Sequence, residues 1–440
     1  MADKPRGMPL HTKILIGLAL GAIGGITARE LSTRGLMGIN ATNLKGFNDN
    51  IAKPAGDIFL GFLFMIVVPL IFAALVNGMQ ELGQAKRFGR VGGLSILLTL
   101  GFSLIACTFA IVGTNLFKPG SSLPPAERER IITSYQSDAE GKKQIERAEK
   151  GVENPPVLGI IPKNPFLEMT RALEGGLLPI MFFALVFGAA LASLPAEQAA
   201  PLRLFFESLF LVSQRVIDFA MHIAPYAVFF LVFKSLAELG WDLLFAVSKY
   251  ALLVIGLLAL HLFGTYSLAL KFIAKQSPID FFRRIKVVML TAFATSSSNA
   301  TLPLALETAD EKLDLPKDIS HFVLTVGATA NQNGTALYEG VTVLFLAQLF
   351  GKDLAMADQI KVLLLTVVAS IGTAGIPSAS LPFIAVLLSQ LGIPAALIGI
   401  ILGIDRILDM SRTVLNVAGD LTIASCVSAL AKRKEPAPAL

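Results

Sequence analysis

The sequence predicts an all-α polytopic membrane protein. Of its 440 residues, 54% are hydrophobic and 16% are charged, whereas about 25% are charged in soluble domains. A soluble chain this apolar would expose large hydrophobic patches to water. A helix crosses the hydrocarbon core with about 20 apolar residues, and six such segments occur, at 12–32, 56–78, 92–117, 174–195, 205–236 and 242–272.

The first apolar segment is predicted to be a span rather than a signal peptide, because it lacks a small-residue cleavage site and further spans follow it. Composition also excludes a disordered chain, a coiled coil and a disulfide scaffold. The two cysteines, Cys107 and Cys426, lie in apolar runs and are expected to be buried thiols. The net charge of +5 does not indicate nucleic-acid binding, since the basic residues lie at the ends of spans.

Those basic residues predict the orientation of the chain. They form four short-loop clusters, which share one side of the membrane if the number of full crossings is even. Both termini are therefore predicted to be cytoplasmic, with 431–440 as a tail and the charged, proline-containing stretch 118–154 as an extracellular loop. The clusters are Lys4, Arg6 and Lys13; Lys86, Arg87 and Arg90; Lys271, Lys275, Arg283, Arg284 and Lys286; and Lys432, Arg433 and Lys434.

The last third of the chain departs from this pattern, because three polar runs interrupt its apolar segments. They lie at 295–303, 331–335 and 370–378. Bare backbone at membrane depth must be buried in protein or line a cavity. The apolar arms beside the first and third runs are short, which favours re-entrant hairpins. Ordinary turns between short helices are the alternative for any one run. Paired interruptions of this kind indicate a transporter's substrate site.

The final apolar span carries a polar face. Its polar residues follow at intervals of four, three, four and four, which places them on one side of a helix. Charges inside a span are costly and normally mark a substrate or ion path. Arg412 suits a carboxylate and Asp409 suits an ammonium, although the two could also simply pair with each other. The five residues are Asp405, Asp409, Arg412, Asn416 and Asp420.

Four motifs, together with IPKNPF at 161–166, resemble the glutamate transporter family of dicarboxylate/amino acid:cation symporters. They are SSSNATLP, NQNGTALYEG, SIGTAGIP and DRILDMSRTVLNVAGD. The resemblance, from about residue 12 to 430, implies eight transmembrane helices, two re-entrant hairpins with inverted repeats, a homotrimer and an elevator movement. It assigns 1–90 and 155–240 mainly to a static scaffold domain, and 91–117 and 241–430 mainly to a moving transport domain. The tip at 372–377 would be a mobile gate.

The same resemblance implies a substrate site. Arg412 would hold the side-chain carboxylate of the substrate, and Asp409 its α-amino group. Neutral and dicarboxylate relatives each lack one of these two residues, so aspartate or glutamate is the expected substrate. Arg406 would replace an arginine that some members carry where this chain has Ser296. The remaining substrate contacts would come from Thr335, Thr413 and Asn416 and from the hairpin tips at Ser298, Gly375 and Ile376.

The implied sodium sites are altered. Asn333 replaces an aspartate that ligates sodium in other members, and its companion positions are Thr99, Phe102 and Ser103. Sodium requires oxygen ligands and local negative charge, so this site is expected to be lost. A second ligand set is present, comprising Gly327, Asn331, Asn416 and Asp420. A third uses carbonyls beside Gln332, which replaces a methionine and could donate into the cation's space. Those carbonyls belong to Thr329, Ser370, Ile371 and Thr373.

The expected function is carriage of acidic amino acids across a prokaryotic plasma (inner) membrane, without a cofactor and with weak or absent sodium coupling. A sodium- or proton-coupled symporter of aspartate, glutamate or a related dicarboxylate is the alternative. An ion channel would show a symmetric polar stripe rather than an adjacent Asp/Arg pair. A serine hydrolase using 296–298 needs a base, and none of the four histidines lies in a nucleophile motif. Lipid and the acidic substrate are the expected partners besides the homotrimer.

Overall fold

The computed structural model describes residues 8–36, 39–87, 89–137, 161–171, 177–372 and 380–432. All regular elements in these ranges are helical, which confirms the all-α fold class. The α-helices named below are α1 Leu10–Arg34, α2 Ala41–Phe47, α3 Lys53–Met65, α4 Val67–Arg87, α5 Gly89–Phe117, α6 Pro125–Ser137, α7 Pro165–Thr170, α8 Leu177–Ser193, α9 Ala196–Leu260, α10 Pro278–Thr295, α11 Ser298–Glu311, α12 Lys317–Ala330, α13 Asn333–Leu349, α14 Met356–Gly372, α15 Ser380–Gln390 and α16 Leu402–Lys432.

Five helical runs in the described ranges are long and apolar enough to cross a membrane. They are Thr12–Arg34, Ala41–Gln80, Gly89–Ser122, Ala196–Ala274 and Leu402–Ala431. Ala196–Ala274 contains both the fifth and the sixth predicted spans, and it extends past α9 through two π-helical segments, His261–Thr265 and Leu270–Ala274. The fourth predicted span is the shorter helix α8, and the second predicted polar run, 331–335, begins at the break between α12 and α13.

Gly240 separates the fifth span from the sixth. Its backbone is left-handed (φ 66°), and a Cβ there would touch the guanidinium of Arg29, so the position requires glycine. Arg29, near the end of α1, donates to the carbonyl of Glu238 and, over 3.2 Å, to a carboxylate oxygen of Glu127 in α6. The charged stretch 118–154, predicted to be a loop, contains a 3-10 turn at Pro119–Ser122 and the helix α6, and its residues 138–154 lie outside the described ranges.

Three glycines of α1 bring its backbone against that of α9. Gly17, Gly21 and Gly25 face the backbone of Pro225, Phe229 and Phe233 respectively. Small residues drive helix association in membranes because they allow this close approach. The residue numbers rise together along the two helices, so the first and fifth spans run in the same direction, as alternating crossings require.

Gly21→Ala is expected to destabilise the protein by about 1–3 kcal/mol, because overpacking forces a backbone shift; the new Cβ would lie 2.5 Å from the carbonyl oxygen of Phe229. Gly256→Ala is the matched control, since no atom lies within 4 Å of the added Cβ and alanine favours helix. Thermal unfolding in detergent measures both. Equal melting temperatures for the two variants would contradict the close α1–α9 contact.

The last third forms two helix pairs around α16. In the first hairpin, α10 and α11 meet at Ser296, which has a left-handed backbone (φ 51°), and at Ser297, whose hydroxyl caps α11 by accepting from the amide of Ala300 over 3.2 Å. At its open end Asp310 contacts His321 over 2.9 Å, and this hydrogen bond holds the pKa of Asp310 below its ordinary value. In the second hairpin, α14 and α15 flank the predicted gate; all of that tip except Gly372, together with residues 378 and 379, lies outside the described ranges.

Candidate substrate-binding site

The polar face of α16 is buried, as its spacing predicts. Each of its five polar side chains exposes at most 4% of its surface, although α16 is itself a candidate membrane span. The helices packed against α16 in the described chain include both arms of the first hairpin, α10 and α11, together with α12, α13 and α5. The polar residues of the final span are therefore gathered at the centre of the molecule rather than turned toward lipid.

Asp409 and Arg412 form a two-pronged ion pair. The guanidinium donates from Nε over 3.0 Å and from Nη2 over 2.6 Å to Oδ1 of Asp409. The other carboxylate oxygen, Oδ2, accepts from Arg406 over 3.3 Å. Asp405 accepts a hydrogen bond of 2.6 Å from the hydroxyl of Tyr338. Two aspartates and two arginines thus balance each other within one buried cluster.

Two residues around Arg412 were missed by the sequence analysis. The ring of Tyr338 in α13 lies 4.5 Å from the guanidinium carbon, within the range of a cation–π contact. Ser380, the first residue of α15, accepts a hydrogen bond from Nη1. Tyr338 belongs to the NQNGTALYEG run, so its motif offered a signal. Ser380 lies just beyond the third polar run and offered none.

Asn416 connects α16 to the break between α12 and α13. Its Oδ1 accepts from the backbone amide of Gly334 over 2.8 Å, and its Nδ2 donates to Oε1 of Gln332 over 2.5 Å and to Thr335 over 3.3 Å. Nε2 of Gln332 donates to the carbonyl of Ala328 over 2.9 Å. The glutamine amide thus connects the last turn of α12 to α16.

The other predicted substrate residues are less closely connected. The hydroxyl of Thr413 donates to the carbonyl of Asp409 in its own helix over 2.8 Å. Ser298 is the first residue of α11, and its buried hydroxyl has no partner among the described residues. Gly375 and Ile376 lie outside the described ranges.

Asn333, the residue at which the sequence predicts the loss of a sodium ligand, has an amide that is bonded at both ends. Ser103 donates to its Oδ1 over 2.6 Å, and its Nδ2 donates to the hydroxyl of Tyr266 over 3.0 Å. The Phe102 ring lies 5.3 Å from the Tyr266 ring. Thr99, the remaining companion, is half-buried on α5. Neutral groups that bond to one another therefore surround Asn333.

The second set of predicted ion ligands is brought together. Nδ2 of Asn331 donates to Oδ1 of Asp420 over 2.7 Å and to the carbonyl of Asn416 over 3.4 Å. A Cβ on Gly327 would lie 2.5 Å from the same Asp420 oxygen, so only glycine fits there. In the third set, Ser370 donates to the carbonyl of Val367 over 2.8 Å and Thr329 is half-buried. Ile371 lies in the last turn of α14, and Thr373 lies outside the described ranges.

Glu339 was also missed by the sequence analysis. It lies in α13 and is fully buried, and neither carboxylate oxygen has a hydrogen-bond partner among the described residues. Its place as an acidic residue in the NQNGTALYEG run, directly after Tyr338, was the available signal. An ionised carboxylate in such surroundings carries a large desolvation cost.

Comparison with known proteins identifies the family of the chain. A model of the sodium:dicarboxylate symporter family matches residues 10–430. The chain belongs to this family. Its relatives include the proton/sodium-glutamate symport protein of Geobacillus stearothermophilus, 33% identical over 86% of this chain and 87% of the relative. The proton/glutamate-aspartate symporter of Escherichia coli is 33% identical over 84% of this chain and 83% of the relative.

The sodium:dicarboxylate symporter family is not restricted to acidic substrates. The neutral amino acid transporter B(0) of Bos taurus is 30% identical over 97% of this chain and 82% of the relative. Membership therefore confirms the predicted family and the multi-pass membrane fold, whereas the choice of substrate must be argued from the side chains of the site.

Asp409→Asn and Asp420→Asn are expected to affect stability unequally. The first removes the charge that balances Arg412, and breaking a buried pair typically costs about 3–5 kcal/mol. The second replaces a carboxyl group whose observed partner is the neutral amide of Asn331, so its effect should stay below about 1 kcal/mol. Thermal unfolding in detergent gives the comparison. Equal losses of stability would show that Asp409 is not paired as described.

Proposed function

We propose that this protein is a secondary transporter of acidic amino acids, aspartate or glutamate, and that it works by an elevator movement. The pair between Asp409 and Arg412 carries the proposal. The side-chain carboxylate of the substrate would replace Asp409 as the partner of Arg412. The ammonium group of the substrate would replace Arg412 as the partner of Asp409. The two charges released from each other would then both be balanced by one ligand.

This exchange of partners would make the site selective for acidic amino acids over neutral amino acids and simple dicarboxylates. A neutral amino acid balances Asp409 but leaves Arg412 as a buried charge without a partner, and a simple dicarboxylate does the reverse. An uncompensated buried charge is strongly unfavourable. Aspartate and glutamate carry both required groups, and the names of several relatives refer to these amino acids.

The alternatives from other classes receive less support. A channel does not need a carboxylate and a guanidinium bonded to each other at a buried site. A serine hydrolase needs a base at its nucleophile, yet the hydroxyls of Ser296 and Ser298 have no hydrogen-bond partner among the described residues. The family is one of transporters, and no catalytic role is proposed.

Arg412→Ala should abolish binding of aspartate while permitting neutral amino acids, because the truncation removes a charge-assisted contact whose loss costs about 2–5 kcal/mol. Asp409→Asn should instead weaken all amino acids, since each carries the ammonium group. Calorimetry with L-aspartate and L-serine separates the two patterns. Undiminished aspartate binding by Arg412→Ala would refute the substrate assignment.

The surroundings of Asn333 and of two buried carboxyl groups indicate which ion is coupled to transport. The site at Asn333 has no carboxylate, and its amide is already bonded to Ser103 and Tyr266. Two other carboxyl groups, Glu339 and Asp420, are buried without a cationic side chain bonded to them in the described chain. Such groups fit the membrane interior with a bound proton better than as anions. Sodium coupling is therefore proposed to be weak or absent, with a proton as the coupling ion.

Aspartate affinity should be equal within about threefold in choline and in sodium buffers, since a coupled ion and its substrate raise each other's affinity by the same factor. Calorimetry at fixed pH makes this comparison. In proteoliposomes, an imposed proton gradient should drive aspartate uptake. Glu339→Gln should reduce that net uptake while leaving aspartate exchange intact, because the amide cannot bind and release a proton as a carboxyl group does. A tens-fold tightening by sodium would restore sodium symport.

The remaining assignments concern assembly. A homotrimer is proposed, in which 1–90 and 155–240 form mainly the scaffold and 91–117 and 241–430 mainly the transport domain. The bacterial relatives and the apolar helices support a multi-pass plasma-membrane protein. Both termini are proposed to be cytoplasmic, from the distribution of the basic residues.

A further inference from the structure

Arg29 contacts two of the chain segments that connect the proposed scaffold to the proposed transport domain. It lies near the end of α1, in the part of the chain assigned to the scaffold. Its guanidinium lies against Gly240, the last residue of that assignment, and donates to the carbonyl of Glu238. Its Nη2 also donates over 3.2 Å to Oε1 of Glu127, in the stretch 118–154 that follows α5. One scaffold side chain is therefore bonded both at the start of the sixth span and in the connection that leaves α5.

The segment that carries Glu127 packs on the proposed transport domain. A Cβ added to Gly120 would lie 2.5 Å from a backbone oxygen of α13. At Gly351, just after α13, an added Cβ would lie 2.9 Å from Cδ of Arg128. Neighbouring residues of α6 thus contact different domains, because Glu127 pairs with α1 of the scaffold and Arg128 packs on the chain that follows α13.

The ion pair between Arg29 and Glu127 is partly shielded from water. The side chain of Glu127 exposes 12% of its surface and that of Arg29 exposes 27%. Glu127 also accepts over 2.9 Å from Arg130 of its own helix. Its second carboxylate oxygen, Oε2, is buried and has no hydrogen-bond partner among the described residues. Because α6 packs on the transport domain, a movement of that domain along α1 would separate the charges of Arg29 and Glu127.

We propose that Arg29 and Glu127 form a latch between the two domains, and that release of this latch limits the rate of the elevator movement. This inference rests on the proposed function. An ion pair between partly exposed groups contributes little stability, so the latch would slow the movement without stopping it. The pair lies at the connecting segments rather than in the cluster around Asp409 and Arg412. It would therefore govern the turnover rate and leave the affinity for substrate unchanged.

Glu127→Gln tests the latch, because it removes the charge and keeps the size of the side chain. In proteoliposomes it should raise the maximal rate of aspartate uptake about two- to fivefold, the range expected for one partly exposed ion pair. Calorimetry should give a dissociation constant for aspartate within about twofold of that of the unmodified protein, since only the rate is affected. Glu207→Gln is the matched control, because Glu207 pairs with Arg203 over 3.0 Å within α9 and joins no two domains.

Salt provides a second measurement, since screening weakens a partly exposed ion pair. Raising choline chloride equally on both sides of the membrane from about 0.01 M to about 1 M shortens the Debye length from about 30 Å to about 3 Å. The latch should then lose its effect, so the uptake rates of the unmodified protein and of Glu127→Gln should converge at high salt.

An equal or lower maximal rate in Glu127→Gln at low salt would overturn the latch, and so would an equal acceleration in Glu207→Gln. A loss of aspartate affinity in parallel with the change in rate would indicate a structural role of Glu127 and would overturn it as well. If the unmodified protein carries no aspartate, the proposed function fails instead, so the two failures are distinguishable.

Discussion

The buried pair of Asp409 and Arg412 determines how the centre of the molecule is arranged. A charge in the membrane interior is tolerated only with a partner of opposite sign and with its remaining hydrogen-bonding groups satisfied. Arg406 provides a second cation for the aspartate, while Ser380 and Tyr338 occupy the remaining sides of the arginine. The placement of α13 and of the start of α15 against α16 follows from these requirements.

The helix interruptions follow a related constraint. Ends of helices carry backbone groups without partners, and lipid provides none. Here side chains bond to them: Asn416 accepts from the amide of Gly334 at the start of α13, and Ser297 accepts from that of Ala300 in α11. The break between α12 and α13 thereby places polar side chains and a helix end against α16, through the hydrogen bonds of Asn416.

Features set by residues close together in the sequence could be predicted, whereas contacts between distant residues could not. The polar face of α16 could be predicted because helix periodicity alone determines it, and the family could be predicted from local motifs. The bond between Ser380 and Arg412 could not, because it joins residues 32 positions apart whose approach depends on hairpin packing. The role of Gly240 could not be predicted either. The chain has many glycines, and only the folded structure shows that this one lies against Arg29.

The neutral surroundings of Asn333 have an electrical consequence. Moving one elementary charge through the membrane field is worth about 2.3 kcal/mol per 100 mV. At neutral pH aspartate carries one net negative charge, so a carrier that loads it with a single proton moves no net charge per cycle. Such uptake would respond to the pH difference and not to voltage. Under the proposed loss of sodium coupling, an amide rather than a carboxylate at Asn333 would thus tie uptake to the pH component of the proton-motive force.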